Sequence, residues 1–221
     1  MKDYCIRKYN DSDYNNVRDI FANGMREHIP AAYKEALKHP RNVLMFTLFF
    51  CLLFIISKSF ILVITAVTLL LVFIQQGASY LYTSYIQMVL MSDLLDIRKV
   101  YMDSERSCFW VAECYGNIIA TAAAAPTEIE SEVELKRLSV RRAFRGRGIA
   151  KALCRTVIGF AKQKGYKSVI LEVSFPQYDA CKLYNGLGFV KAEEFIFPTA
   201  LGKLCQLKVM KYRYNIPSNS G

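Results

Sequence analysis

Eleven of the 29 lysines and arginines fall between Glu134 and Glu172, with no acid among them. At the centre of that stretch the chain reads Val140-Arg141-Arg142-Ala143-Phe144-Arg145-Gly146-Arg147-Gly148-Ile149-Ala150-Lys151, a strand pattern passing through a glycine-containing loop into a helix pattern. The first N–H groups of a helix have no intrahelical partner, and the macrodipole adds partial positive charge there. Glycines let an anion come close to that backbone. The chemistry that fits is the holding of a pyrophosphate. A solvated basic turn or a nucleic-acid patch would share the charge. Neither accounts for two glycines placed where a strand hands over to a helix. A Gly-Lys-Ser/Thr phosphate loop and a GxGxxG dinucleotide fingerprint are both absent.

The rest of the chain bounds what this loop can serve. It has 221 residues, 53% hydrophobic and 22% charged, which excludes a disordered tail or a collagen-like fibre. Basic residues outnumber acids 29 to 19, for a net charge of +10, so an anionic partner is expected. Seven scattered cysteines without a CxxC pair, and two histidines, His28 and His39, argue against a disulfide framework, a zinc site or a Ser-His-Asp enzyme. No metal is expected.

From Asn42 to Ser92 there is one charge, Lys58. Val43–Ile56 is apolar except for Thr47, and Phe60–Ile74 except for Thr65 and Thr68. A buried core helix is the bland alternative, each run being 14 to 15 residues long. As one straight helix, 43–74 would run about 48 Å against a hydrocarbon core of roughly 30 Å. A hairpin turning at Ser57-Lys58-Ser59 avoids both that excess and a lysine in mid-bilayer. Tyr80, Tyr82 and Tyr85 follow as an interfacial aromatic belt would. The twenty residues before Val43 hold Arg26, Lys34, Lys38 and Arg41, and the twenty after Ile74 hold no lysine or arginine. A single span would then carry the C-terminal part into a lumen, whereas a hairpin keeps both flanks cytosolic, which the reduced look of the cysteines favours.

The apolar segment interrupts one soluble fold. A strand is expected over 4–9, then a helix from the cap residues Asp11 and Ser12 to about Glu27, with Val17, Ile20 and Phe21 on one face. After the insert, 93–101 reads as a helix aligning Leu94, Ile97 and Tyr101. A β-hairpin is expected from 109–113 and 118–124 around Tyr115-Gly116-Asn117. Further strands are predicted at 133–140, 168–174, 189–197 and 203–214, and helices at 149–164 and 178–187. The organisation is 1–42 as the first strand and helix, 43–92 in the membrane, 93–215 as the core and 216–221 as a flexible tail. This is a mixed α/β sheet.

These residues resemble a family. Arg145-Gly146-Arg147-Gly148-Ile149-Ala150 is similar to the R/Q-x-x-G-x-G/A acetyl-CoA signature of the GNAT acyltransferases. Ala180-x-x-Leu183-Tyr184-x-x-x-Gly188-Phe189 is similar to their second signature, with Gln177 where the family often has asparagine. Ile6-Arg7-Lys8-Tyr9 with Asp13 resembles the usual first strand and helix. A hydrophobic insert followed by Ser107-Cys108-Phe109-Trp110-Val111-Ala112-Glu113 resembles the camello-like N-acetyltransferases, which include membrane-bound cysteine S-conjugate N-acetyltransferases of the endoplasmic reticulum. The resemblance implies the GNAT acyltransferase fold, mainly antiparallel and flanked by helices, with an inserted membrane hairpin. It implies acetyl-CoA as co-substrate, contacted by Arg145 to Lys151 and by Gln177.

An acetyl transfer needs a free amine, a held oxyanion and a protonated leaving thiolate. Apolar positions at Val133 and Leu135 change phase to Leu138 and Val140, which predicts a β-bulge. Backbone N–H groups at Leu138, Ser139 and Val140 could then hold the thioester oxygen and the oxyanion; irregular packing around Lys136-Arg137 would give the same pattern. At the position of Tyr184 the resemblance implies a general acid for the CoA thiolate; aromatic packing beside Phe189 is its bland alternative. Glu134 and Glu172, on neighbouring strands, could take the amine proton through a water, or face solvent. Arg137, Arg141 or Arg142 could read a substrate carboxylate or face the CoA phosphates.

The expected function is membrane-bound transfer of acetyl to the α-amine of cysteine S-conjugates or a similar small amino compound. Two alternatives stay open: a protein lysine acetyltransferase, and a non-catalytic adaptor affecting adhesion and gastrulation. The expected partners are acetyl-CoA, the small amine and membrane lipid, with no nucleic acid. The endoplasmic reticulum or Golgi membrane is the expected location.

Overall fold

The computed structural model describes residues 3–174, 177–198, 202 and 208–217. Positions 203–207 of the last predicted strand and 218–221 of the predicted tail lie outside the described residues. Among the described residues seven strands form one sheet: β1 (Cys5–Lys8), β2 (Cys108–Cys114), β3 (Asn117–Pro126), β4 (Glu132–Val140), β5 (Ser168–Ser174), β6 (Val190–Ile196) and β7 (Lys208–Asn215), in the order β1-β2-β3-β4-β5-β7-β6. All neighbours are antiparallel except β4 and β5. That parallel pair joins only Glu132–Glu134 to Ser168–Ile170. Beyond it β4 has no registered β5 partner, and the sheet opens.

Helices cover both faces. On one side lie α5 (Ile149–Gln163) and α6 (Tyr178–Asn185), with Leu153, Cys154 and Val157 packed on Val133, Leu135 and Leu171. On the other, α1 (Tyr14–Arg26) buries Val17, Ile20 and Phe21. Each such apolar side chain contributes about 1.5–3 kcal/mol on burial. The cap before α1 falls one residue earlier than expected: Asn10 caps a short 3-10 turn, Asp11–Asp13. Asp13 completes that cap by accepting from Asn10 N at 2.9 Å, and it also accepts from both terminal nitrogens of Arg7 at 2.6 and 2.8 Å. Arg7 Nε also donates to Glu113 at 2.6 Å, so β1, β2 and the start of α1 are tied together.

The insert is helical. After α2 (Ile29–Lys38), Pro40 opens α3 (Pro40–Ser57), and α4 (Phe60–Leu90) follows. The turn falls where the sequence places it. Lys58 adopts a left-handed conformation, φ 47°, and its N–H donates to Phe54 O at 2.8 Å. Ser59 Oγ caps α4 by accepting from Leu62 N at 3.4 Å. Both helices are long and apolar enough to cross a membrane. Their surface is greasy: Ile56, Phe60 and Ile61 are 74, 71 and 78% exposed.

Two readings of this region change. With 31 residues, α4 is about 46 Å long, more than a bilayer core needs. Its last turns belong to the soluble core: Ala78, Tyr82, Ile86 and Val89 are buried on one helical face. Tyr82 is therefore internal rather than a belt residue, and half-buried Tyr85 bonds Arg137; Tyr80 remains 65% exposed. The predicted helix over 93–101 is instead a run of turns leading to a π-helical turn, Arg98–Met102. Asp96 Oδ1 accepts from Lys99 N at 3.0 Å, capping the segment late and leaving Asp93 outside it. Leu94, Ile97 and Tyr101 are still buried as a set.

Candidate active site

The predicted bulge is present in β4. Ala123 pairs with Lys136 and Thr121 with Ser139, so β4 carries one residue more than β3 between them. Arg137 takes up the extra length with φ 54°, a conformation unusual for a residue with a Cβ. Three contacts hold it there. Thr121 Oγ1 donates to Arg137 O at 2.8 Å, Ser139 Oγ donates to Ile20 O at 3.2 Å, and the Arg137 side chain is clamped. Its guanidinium donates to Asp93 at 2.7 and 2.8 Å and to Tyr85 Oη at 3.2 Å, and lies 5.3 Å from the centre of the Phe21 ring. Tyr101 donates to the same carboxylate. Burial pushes the Asp93 carboxyl up, but the Arg137 hydrogen bonds and charge outweigh it and hold it below the usual range. α1 lies close over the bulge, and a Cβ at Gly24 would collide with Ser139 Oγ.

Two of the three arginines singled out in the sequence are engaged within the protein. Arg137 is consumed by Asp93, and Arg141 donates to Ile118 O at 2.9 Å and Asp19 at 3.0 Å. Arg142 lies exposed in the short turn Arg142–Phe144.

The glycine loop follows directly. Gly146 and Gly148 both have φ 77°, and nothing lies within 4 Å of where a Cβ would stand on either. The demand for glycine is conformational, and the space above the loop is open. Ile149, Ala150 and Lys151 begin α5, and Ala152 N is the first to bond back, to Gly148 O at 3.0 Å. The preceding amides are the free donors of a helix start. Arg145 stays within the protein, its Nε on Val140 O at 3.0 Å and Nη1 on Glu27 at 2.7 Å. Arg147 stacks over Phe144, 5.2 Å from the ring centre. With Gly148, Lys151 and Arg155 it lines an open cleft of about 540 Å³ that extends to Tyr4 and Ile6. Open space, helix-start donors and surrounding cations suit a phosphate group.

Leu138, Ser139 and Val140 run from the bulge to this loop along the opened edge of β4. Across the opening, Ser174 ends β5, and its Oγ accepts from Gln177 Nε2 at 2.8 Å. Tyr184 lies within the layer of α5 and α6, 7% exposed, its ring 5.7 Å from Phe189 and 6.0 Å from Tyr212. Burial, with small additions from Cys154 and Cys181, pushes its phenol far above the usual value, so it stays protonated. Both the packing role and the proton-bearing role fit this setting.

Glu134 and Glu172 come together on the opposite face of the sheet. Strand alternation turns Val133, Leu135, Leu171 and Val173 toward α5 and the two glutamates away from it. Glu134 pairs with Lys136 Nζ at 3.1 Å. Partial burial, then the charge of Glu134, hold the Glu172 carboxyl above the usual carboxylate range, with Lys211 and Lys136 opposing. The upward shift makes this carboxylate a better proton acceptor than an ordinary one.

Sequence reasoning missed Asp93, His28, Ser174 and Tyr82 as parts of this region. Tyr82 Oη is buried and has no hydrogen-bond partner among the described residues. Its spacing with Ala78, Ile86 and Val89 was the available signal, a helical face that repeats within an apolar run.

Comparisons with known proteins agree with this geometry. Residues 79–189 match the Acetyltransferase (GNAT) family. N-acetyltransferase family 8 member 3 of Mus musculus is 37% identical, covering 100% of this chain and 99% of its own. The probable N-acetyltransferase camello of Xenopus tropicalis is 39% identical, covering 99% and 100%. A GNAT-family acetyltransferase from Staphylococcus aureus shares the fold, with a TM-score of 0.59, 17% identity and coverage of 97% and 99%. A putative acetyltransferase from Salmonella typhimurium, solved with acetyl-CoA, gives 0.57 at 11% identity, covering 100% and 98%. The chain belongs to the GNAT acetyltransferase family and, within it, to the camello-like N-acetyltransferases.

Proposed function

We propose that this enzyme transfers acetyl from acetyl-CoA to the α-amine of cysteine S-conjugates, or of a similar small lipophilic amino compound, at a membrane surface. The observation that carries the reading is α4, one unbroken helix that is exposed and apolar at Phe60 and Ile61 and buried beside the end of β5 at Tyr82. An acceptor dissolved in lipid would meet the site where that helix leaves the membrane. α3 and α4 are read as a hairpin with both flanks cytosolic, in the endoplasmic reticulum or Golgi membrane.

The residues divide the work. Amides of the Arg145–Ala150 loop bind the pyrophosphate, with Arg147 and Lys151 adding charge, while Gln177 contacts the pantetheine side of the opening. Backbone donors at Leu138, Ser139 and Val140 bind the thioester oxygen and the oxyanion. Glu172, its basicity raised by partial burial and then by Glu134, takes the amine proton through a water. The nitrogen lone pair forms the new amide bond and the carbon–sulfur bond breaks. Tyr184 gives its proton to the departing thiolate and regains one from solvent.

The test uses membranes containing the full chain, labelled acetyl-CoA, and three acceptors: S-benzylcysteine, a lysine peptide and free aspartate. Transfer to S-benzylcysteine, lost in Gly148→Glu, is expected. Transfer to the peptide alone would replace the small-acceptor reading with protein lysine acetylation. Binding of acetyl-CoA without any transfer would favour the adaptor.

A further inference from the structure

Tyr82 is 4% exposed, and its ring is tilted against His28 with centroids 6.5 Å apart. Its hydroxyl faces Ser174 without reaching hydrogen-bond geometry, and no other described group bonds it. Ser174 Oγ already accepts from Gln177 Nε2 at 2.8 Å. Hydrogen donation in this row runs one way. The glutamine amide gives to the serine, the serine hydrogen is left for Tyr82 Oη, and the phenolic hydrogen is left over. Ser174 ends β5 beyond Ile170, the last β5 residue paired with β4, so the row ends at the opening of the sheet. A buried donor with a spare hydrogen there calls for an oxygen acceptor.

The helix holds that donor firmly. Ala78, Ile86 and Val89 lie on the same buried face, which fixes the direction in which Tyr82 leaves α4. We propose that Tyr82 Oη donates a hydrogen bond to a carbonyl or carboxylate oxygen of the reactants, making it a catalytic residue supplied by the helix that continues from the apolar hairpin. The proposal rests on acetyl transfer taking place at the β4–β5 opening. Two oxygens have this chemistry: the thioester carbonyl of acetyl-CoA and the carboxylate of an amino-acid acceptor.

The test compares wild-type full chain with Tyr82→Phe, and with Tyr115→Phe on the exposed hairpin turn as a control. It measures transfer to S-benzylcysteine and to S-benzylcysteamine, which lacks the carboxylate, acetyl-CoA hydrolysis without acceptor, and Tm. If the hydroxyl binds the carbonyl, Tyr82→Phe lowers kcat for both acceptors and for hydrolysis, by about 100-fold. If it binds the carboxylate, KM rises about tenfold for S-benzylcysteine and is unchanged for S-benzylcysteamine. In either case Tm changes little, because the hydroxyl loses at most its weak contact with Ser174. Unchanged kinetics throughout, or a lowered Tm with kinetics unchanged, would overturn the proposal. Wild-type protein inactive on both acceptors would defeat the small-acceptor reading and with it the carboxylate arm, and hydrolysis unchanged in Tyr82→Phe would then overturn the carbonyl arm as well.

Discussion

Arg137 and Asp93, 44 residues apart in sequence, are joined by two hydrogen bonds of 2.7 and 2.8 Å. One sits in the bulge of β4 and the other in the chain leaving α4, so the active strand is clamped to the foot of the apolar hairpin. The clamp explains how a residue with a Cβ is kept at φ 54°: the strain is offset by a charged pair that Tyr85 and Tyr101 complete with further hydrogen bonds.

Asp93→Asn leaves the Arg137 charge buried with a weaker acceptor. Breaking one partner of such a pair costs about 3–5 kcal/mol. At about 2–4 °C per kcal/mol for a chain of this size, Tm should fall by roughly 10 °C. The carboxyl is held below its usual value, so its contribution is complete above about pH 4 and is lost as pH falls through the lowered value. Acid unfolding in detergent should therefore be less steep in the variant below pH 4. Equal steepness would show that the pair does not stabilise the fold.

Gly148→Ala tests the loop without adding bulk, since a Cβ there meets nothing within 4 Å. The left-handed φ costs an alanine about 1–2 kcal/mol. Relief of that strain would turn the loop amides away from a phosphate. Acetyl-CoA affinity, read by calorimetry, should drop at least tenfold while Tm falls by a few degrees. Unchanged affinity would remove the loop from cofactor binding.

Tyr184→Phe should lower kcat by about 100-fold and leave acetyl-CoA affinity unchanged, because only the leaving-group proton is lost. The wild-type phenol is pushed so far up by burial that its deprotonation should leave no alkaline limb below pH 10. A variant with normal turnover would leave Tyr184 the packing role beside Phe189 and Tyr212.

For the base, the informative variant is its neighbour. Glu134→Gln removes a like charge, so the raised value of Glu172 should move down and the ascending limb of kcat/KM should shift to lower pH. Lys211, Lys136 and Glu193 also face Glu172 and remain in place. A limb set by the acceptor amine would not move, which separates the two causes. Glu172→Gln should abolish the limb and lower kcat/KM about 100-fold.

What was legible in the sequence was local. Two glycines at a strand-to-helix handover mark Gly146 and Gly148 by their conformational demand, and the turn at Lys58 lies between two apolar runs. The bulge was legible because one extra residue reverses the alternation between Leu135 and Leu138. Arg137 and Asp93 were not, since nothing in a single sequence pairs charges 44 residues apart. The turns at 93–97 escaped because the apolar spacing of a helix is kept while Asp96 caps it late. Tyr82 escaped for a different reason: an apolar helix reads the same whether lipid or protein surrounds it.

That equivalence ends when a charge is added. Ile61 and Leu69 on α4 are 78 and 65% exposed, whereas Ile86 is 1% exposed against the soluble core. Ile61→Asp with Leu69→Asp places two carboxylates where the hairpin is read as lipid-facing, at about 2.5–3.5 kcal/mol for position 69 near mid-bilayer and less for position 61 close to the turn. The fold around β4 makes no use of those side chains, so the protein should keep its Tm in detergent and still bind acetyl-CoA. On carbonate washing it should leave the membrane pellet that retains the wild type. Ile86→Asp should do the reverse, staying in the pellet while the core unfolds, because a carboxylate there has neither lipid edge nor water to reach. If the double variant lost its fold as well, the exposed half of α4 would be covered by protein, and the hairpin would be an interface between chains rather than a membrane anchor.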